Sequence, residues 1–135
     1  MVENLLLTVR GNNAVLTIVD RFTKYAISIP IHSTWSAFRQ AQCLMDNLIY
    51  RFHTPVHIHT DNGLAYRALF QALCAALGVR HVTGTLYHSQ SQGGAERQHR
   101  TVLQTLRTTC ADKHHWDHYL QATAHAYNDT VHDAT

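Results

Sequence analysis

Long apolar runs are missing from this chain: nothing in its 135 residues approaches the roughly 18 consecutive positions that a membrane-spanning helix needs, so no membrane partner is expected. The first residues also lack the basic, apolar and small-residue sequence of a secretory signal, which points to an intracellular protein. Cysteine is scarce. Cys43, Cys74 and Cys110 are odd in number, far apart and never arranged as Cys-x-x-Cys, so buried free thiols are expected rather than a disulfide framework or a zinc knuckle. Charge is scarce too, and a net +2 does not by itself predict a nucleic-acid partner. Repeats, low-complexity tracts and interdomain linkers are absent. At 45% hydrophobic, residues 1–135 fit one domain with its own core and are too few for two.

What charge there is has a distribution. From Arg80 to Lys113, five basic residues (Arg80, Arg97, Arg100, Arg107, Lys113) face Glu96 and Asp112, so 5 − 2 = +3 for that stretch, and Asp117, Asp129 and Asp133 offset it downstream. Histidine is abundant at 12, which makes the net charge sensitive to acidification. His57 with His59, or His114 with His118, has zinc-compatible spacing, but neither pair has a third and fourth ligand nearby in sequence.

Val2 to Val9 has extended character and is followed by turn chemistry at Arg10-Gly11-Asn12-Asn13. Strands are predicted from Ala14 to Asp20 and from Lys24 to Ile31, giving three antiparallel strands in the first third. The period then changes: Trp35, Phe38, Gln42, Met45, Ile49 and Phe52, with Ser33 or Thr34 as cap, describe an amphipathic helix that ends before Pro55. A short strand from Val56 runs into Asp61, Leu64 to Leu77 reads as a helix closed by Gly78, and Val79 to Thr83 is a fifth strand. Thr85 to Gly93 is polar and reads as a loop. Val102, Leu103, Leu106 and Cys110 restore a helix from about Gly94, with Glu96 in its first turn, and a last helix from His115 to Tyr127 buries Trp116, Tyr119, Leu120, Thr123 and Tyr127. The expected class is α/β, a mixed five-stranded sheet of three antiparallel and two parallel strands flanked by helices.

Two carboxylates stand out in a chain with few of them. Asp61 ends a strand-like run, Glu96 opens a helix-like one, and 96 − 61 = 35 positions separate them. Two oxygen ligands brought from distant sequence onto one divalent cation would explain the pair. The duller readings are a turn residue for Asp61 and a charge favouring a helix start for Glu96.

Four ordered runs carry a resemblance: Leu16-Thr-Ile-Val-Asp20-Arg-Phe-Thr-Lys-Tyr25; Thr60-Asp-Asn-Gly63; Tyr87-His-Ser-Gln-Ser-Gln-Gly93 with Glu96-Arg-Gln-His-Arg-Thr101; and Ala126-Tyr-Asn-Asp-Thr-Val-His132. Together they resemble the integrase catalytic core of retroviruses and long-terminal-repeat retrotransposons, nearest the gypsy-like branch, over essentially the whole chain. That resemblance implies an RNase H-like fold and a polynucleotidyl transferase that processes DNA 3′ ends and joins them by two-metal in-line displacement, using Mg²⁺ or Mn²⁺. It makes Asp61 the second metal ligand, Glu96 the third and Glu3 the occupant of the first position. Tyr87, Gln90 and Gln92 correspond to an active-site loop that approaches DNA, with Gly93 and Gly94 as its hinge, and Arg97 and Arg100 become candidates for phosphate contacts. A homodimer through the Trp35–Phe52 helix and the helices after Glu96 is implied, as is nuclear action if the substrate is chromosomal. The family's zinc-binding N-terminal module and β-barrel C-terminal module have no counterpart in these residues.

Three positions depart from the family pattern. Glu3 stands where the first strand has Asp, 20 − 3 = 17 positions before Asp20. The extra methylene adds about 1.5 Å of reach where Mg²⁺ wants near-octahedral oxygens at roughly 2.1 Å, so metal should be poorly positioned. Ser89 replaces a usual Pro and His99 a usual Asn. Asp20 is the weaker substitute ligand. The competing expectation is an inactive, host-domesticated core kept for dimerisation or protein interaction, and a third is an RNase H-like nuclease that cuts without joining.

Overall fold

The computed structural model describes residues 5–60, 67–83 and 89–130, with side chains described except at 67–69, 83, 89–96 and 99. These fall into two compact units, Met1–Ser33 with Ser89–Thr135, and Thr34–His88.

The first unit is built on an antiparallel hairpin of β1 (Ala14–Val19) and β2 (Ala26–Ile31), in register from Ala14 opposite Ile31 to Val19 opposite Ala26. Two helices pack on it: α4 (Ser89–Thr109), and α5 (Trp116–Asn128) after a 3₁₀ turn at Lys113–His115. Val15, Val102, Leu106, Cys110, Trp116 and Leu120 form its core, edged by Leu5 and Leu103. The helical spacing of Val102, Leu106 and Cys110 delivers three of these from one face.

The expected first strand is not found where residues are described. Leu5 N–H donates to the Asn13 carbonyl (2.9 Å) and Thr8 N–H to that of Asn12 (2.8 Å), but no regular ladder follows. The entrance to α5 has taken the neighbouring backbone groups. Trp116 Nε1 donates to Leu6 O (2.7 Å), His114 Nδ1 lies 3.1 Å from Leu7 O, and Val9 N–H donates to His114 O (3.1 Å). The Arg10–Asn13 turn does form, with Gly11 at φ +85°.

In the second unit, β3 (His57–Thr60) and β4 (Arg80–Thr83) pair in parallel, joined through α3 (Arg67–Leu77) as parallel strands require. Gly78, at φ +71°, closes α3: its N–H reaches Ala75 O and the next N–H, of Val79, reaches Cys74 O, the paired bonds of a Schellman end. The described residues thus hold four strands in two ladders rather than five in one sheet.

The long helix expected from Trp35 to Phe52 is three pieces: α1 (Ala37–Leu44), a π-helical segment at Met45–Ile49, and α2 (Tyr50–Phe52). Its cap is Ser36, whose Oγ accepts from Arg39 N–H (3.2 Å), while Ser33 is engaged by Asn13 through both its N–H and its Oγ. The buried stripe starts one residue earlier than expected, at Ala41 and Leu44, leaving Phe38 70% exposed. At the π segment, Asn47 Nδ2 donates to Cys43 O (2.8 Å), the acceptor that an α-helix reserves for the Asn47 backbone N–H. Below that widening the phase shifts and Ile49 turns inward. Cys43, Cys74 and Cys110 are free and buried, and burial pushes the Cys43 and Cys74 thiols above their ordinary pKa. No helix among the described residues is long and apolar enough to cross a membrane.

Candidate nucleic-acid and metal site

Helix α4 carries most of the candidate residues that fall within the described chain. It begins at Ser89, not near Gly94, so Gln90, Gln92, Gly93 and Gly94 are helical rather than parts of a loop. Neither Pro nor a β-branched residue interrupts Ser89–Gly94, and glutamine is a good helix former, so only the two glycines oppose the extension, at about 1 kcal/mol each. Glu96 therefore lies 96 − 89 = 7 positions inside the helix, and no acidic residue occupies the first turn. A favourable charge at a helix start no longer accounts for it.

The roll of α4 is set by Gln98. Its side chain is fully buried (0% exposed), its Nε2 donates to the buried Ser28 Oγ on β2 (3.2 Å), and its Oε1 has no partner among the described residues. Gln98, Val102 and Leu106 face inward, so the helical period turns Arg97, Arg100 and Arg107 to solvent, where all three are exposed. Arg97 sits close enough to Tyr127 to counter, in part, the upward push that burial gives that phenol.

Helix α5 seals the outer edge of β2. Ala26 N–H donates to Asn128 Oδ1 and Asn128 Nδ2 to Ala26 O, both at 2.8 Å, so one side-chain amide stands in for a partner strand. Gln121 Nε2 donates to Ser28 O (3.1 Å), and Pro30 has no N–H to offer. At the other end of α5, Asp117 is 4% exposed, and its Oδ2 accepts from Thr8 Oγ1 and from Asn12 Nδ2, each at 2.8 Å. Burial raises its pKa, but those two bonds, with the positive fields of His118 and Arg10, outweigh it and leave the carboxyl below its ordinary value. Tyr119, expected inside, is 47% exposed.

Asp20 is a turn residue. Its Oδ2 accepts from Thr23 N–H (2.8 Å) and Thr23 Oγ1 (2.6 Å), and these bonds lower its pKa. Strand β3 ends at Thr60, whose Oγ1 lies 2.7 Å from His81 Nε2 on β4, and the His81 ring meets Phe70 edge-on at 4.9 Å. Asp61, which follows Thr60 in sequence, lies outside the described residues, as do Glu3 and Tyr87. Only the backbone is described for Gln90, Gln92 and Glu96. Among the described residues no three of His, Cys, Asp and Glu stand together as a metal site. His114 and His115 bond instead to Leu7 O and to Asp112 Oδ2.

Sequence reading missed Gln98, Gln121, Asn128 and Asp117 as structural anchors. Gln98 and Asn128 stood inside the quoted motif runs, which was the available signal; nothing local marked Gln121 or Asp117.

Comparison with known proteins places these observations in a family. Residues 6–89 match the family model of the integrase core domain. The chain is 32% identical over 122 residues to the retrovirus-related Pol polyprotein from transposon 412 of Drosophila melanogaster, covering 89% of this chain and 10% of that polyprotein. It thus spans about a tenth of the length of the polyproteins it matches. The catalytic core domain of BIV integrase superposes with a TM-score of 0.68 at 28% identity, covering 87% of this chain and 76% of that one. The HTLV-2 integrase catalytic core domain, solved in complex with magnesium in a dimeric form, superposes with a TM-score of 0.68 at 19% identity, over 90% and 79% of the two chains. The fold is the RNase H-like α/β fold of those cores, and the chain belongs to the integrase core domain family.

Proposed function

We propose that this chain is the polynucleotidyl transferase core of a retroelement integrase, acting on DNA ends in the nucleus as a homodimer. The observation that carries the reading is family membership together with Glu96, which stands well inside α4 where helix-end electrostatics give it no purpose. Glu3, Asp61 and Glu96 would form an all-carboxylate donor set, the hard oxygen chemistry that suits Mg²⁺ or Mn²⁺. Bound there, such ions would stabilise charge on the attacking and leaving oxygens of an in-line displacement at phosphorus. Arg97 and Arg100, on the solvent side of α4, would hold phosphates and fix the register of the strand, with Gln90, Gln92 and Tyr87 contributing polar and stacking contacts. The exposed Phe38, Tyr50 and Phe52 offer apolar surface to a second copy.

A second reading is favoured by Glu3. A glutamate in the first position weakens metal placement, and a core with a silent site would persist as a dimerisation or protein-interaction module. One assay separates the two: Mn²⁺-dependent disintegration or strand transfer on a labelled branched or 3′-recessed duplex, with Asp61→Asn and Glu3→Asp alongside the parent. The transferase reading expects joined product that disappears in Asp61→Asn and rises in Glu3→Asp. Product that survives Asp61→Asn rejects the site. No product from any variant, with a dimer intact in sedimentation, leaves the silent module, and cleavage without joining would indicate a nuclease.

A further inference from the structure

The tip of the β1–β2 hairpin is not used by the site described above, yet it is densely hydrogen-bonded. Asp20 N–H donates to Tyr25 O (2.8 Å), Lys24 N–H to Asp20 O (2.9 Å), and Tyr25 N–H to Thr23 Oγ1 (3.2 Å), while Thr23 binds Asp20 Oδ2 through both its N–H and its hydroxyl. Lys24 Nζ donates to Arg21 O (2.8 Å). These bonds hold Lys24 at φ +65°, a left-handed conformation that a side chain rarely adopts and that persists only where the surroundings dictate it. None of these bonds involves the ring of Phe22, which is 87% exposed and flanked in sequence by Arg21 and, two positions on, Lys24. A lone exposed aromatic needs no explanation by itself. A hydrogen-bonded turn that presents one exposed ring and carries two cations, however, has the make-up of a stacking platform for nucleic acid rather than of an apolar protein-docking patch.

Its position agrees. Val102 and Leu106 of α4 pack with Val15, near the start of β1, and Gln98 bonds Ser28, nearer the tip, so α4 runs with its earlier residues toward the turn. Arg97 is within electrostatic reach of Tyr127, and the next residue, Asn128, clamps Ala26, the first residue of β2 beyond the turn. The geometry points to Phe22 as a stacking platform for an unpaired DNA base, with Arg21 and Lys24 supplying charge for the adjoining phosphates. This rests on the reading of α4 as a DNA-facing helix, and it extends that face to the hairpin.

The test is fluorescence anisotropy of the 135-residue chain with a labelled 20-nucleotide oligo-dT and, separately, with a blunt duplex, both in EDTA so that metal chemistry plays no part. Phe22→Ala is expected to weaken oligo-dT binding about tenfold, the loss of one stacked base, with duplex binding and melting temperature unchanged. Phe22→Leu, which keeps apolar area without a π face, should behave like Phe22→Ala, and Phe22→Trp like the parent. Arg97→Ala tests the underlying reading and should weaken both probes. If Arg97→Ala weakens both and Phe22→Ala neither, the hairpin inference falls and the DNA-facing helix stands. A parent that binds neither probe overturns both. Equal losses on the two probes in Phe22→Ala, or parent-like binding by Phe22→Leu, would also overturn stacking. So would a Phe22→Ala chain that keeps its oligo-dT affinity but loses self-association, which would mark the tip as a protein contact.

Discussion

Among the described residues, the first unit is fastened by bonds that span most of the chain, and the second shows bonds within the α1 region and between adjacent strands. Thr8 and Asn12 meet Asp117, Leu6 meets Trp116, Ala26 meets Asn128 and Ser28 meets both Gln98 and Gln121. In the second unit, the side-chain bonds described are local to the α1 region, as with Asn47 to Cys43 and Gln42 to Asp46, or join the adjacent strands β3 and β4, as with Thr60 to His81. The difference follows from topology. A hairpin leaves its outer edges wanting partners, and here a distant helix supplies the β2 edge through the amide side chains of Asn128 and Gln121. A strand–helix–strand unit closes its own ladder within a short stretch of chain. Polar anchoring of the first kind makes α4, with Glu96 and the arginines, depend on residues far away in sequence.

The comparison breaks most visibly at Asp117. Replacing it by Ala removes the acceptor for Thr8 Oγ1 and Asn12 Nδ2 in a buried setting, and should destabilise the chain by about 3 kcal/mol, measured as the shift in urea midpoint at constant slope. The effect has a pH signature. Because the folded-state pKa of Asp117 lies below its unfolded value, its contribution is present above the unfolded carboxyl pKa, near 3.9, and is lost as pH falls through the lower folded value. The gap between parent and Asp117→Ala should therefore be full at pH 7 and shrink below about pH 4. A gap that stays constant to pH 2.5 would show that the ionised carboxylate is not what those bonds stabilise.

Asn128→Ala comes next, at about 2 kcal/mol, because two bonds to the Ala26 backbone are lost at an edge with no other described partner for those groups. Amide exchange sharpens the comparison: Ala26 N–H should lose protection in this variant while the ladder of β3 and β4 keeps its own. Loss of protection in both ladders to the same degree would mean that the units unfold as one and that the contrast between them has no energetic meaning.

What could be read from the sequence follows the same division. Strands β1 to β4 and the end of α3 at Gly78 were legible because strand-type composition and turn residues are local signals, and the start of α5 because Trp116 and Leu120 recur at helical spacing. The expected first strand is not found over the described residues 5–9, where Thr8, Leu6 and Leu7 are claimed by residues more than a hundred positions away, which no window reveals. The pattern Trp35, Phe38, Gln42, Met45, Ile49 and Phe52 follows the large side chains, whereas the smaller Ala41 and Leu44 occupy the buried face before the Asn47 side chain changes the phase and Ile49 turns inward. The polar run before Gly94 read as a loop because it has no apolar face, yet nothing in it forbids a helix. Of the site, the motif spacing marks Asp61 and Glu96 as an expected pair, and Asp61 lies outside the described residues. Gln98 was not legible, because a buried amide between Arg97 and His99 carries no periodic mark.

Thr60→Val gives the smallest effect and the closest test of the local unit. The substitution keeps side-chain shape and β-branching, so strand propensity is retained, and it removes only the 2.7 Å bond to His81 Nε2. Since His81 also packs edge-on against Phe70, its ring keeps that contact, and the expected cost is about 1 kcal/mol or less. If local closure is what holds the second unit, Thr60→Val should leave Ala26 protection untouched and shift exchange only in β3 and β4. A cost matching that of Asn128→Ala would mean that the strand leading to Asp61 is fixed chiefly by this side-chain bond rather than by its backbone ladder, and the distinction between the units would have to be redrawn around His81.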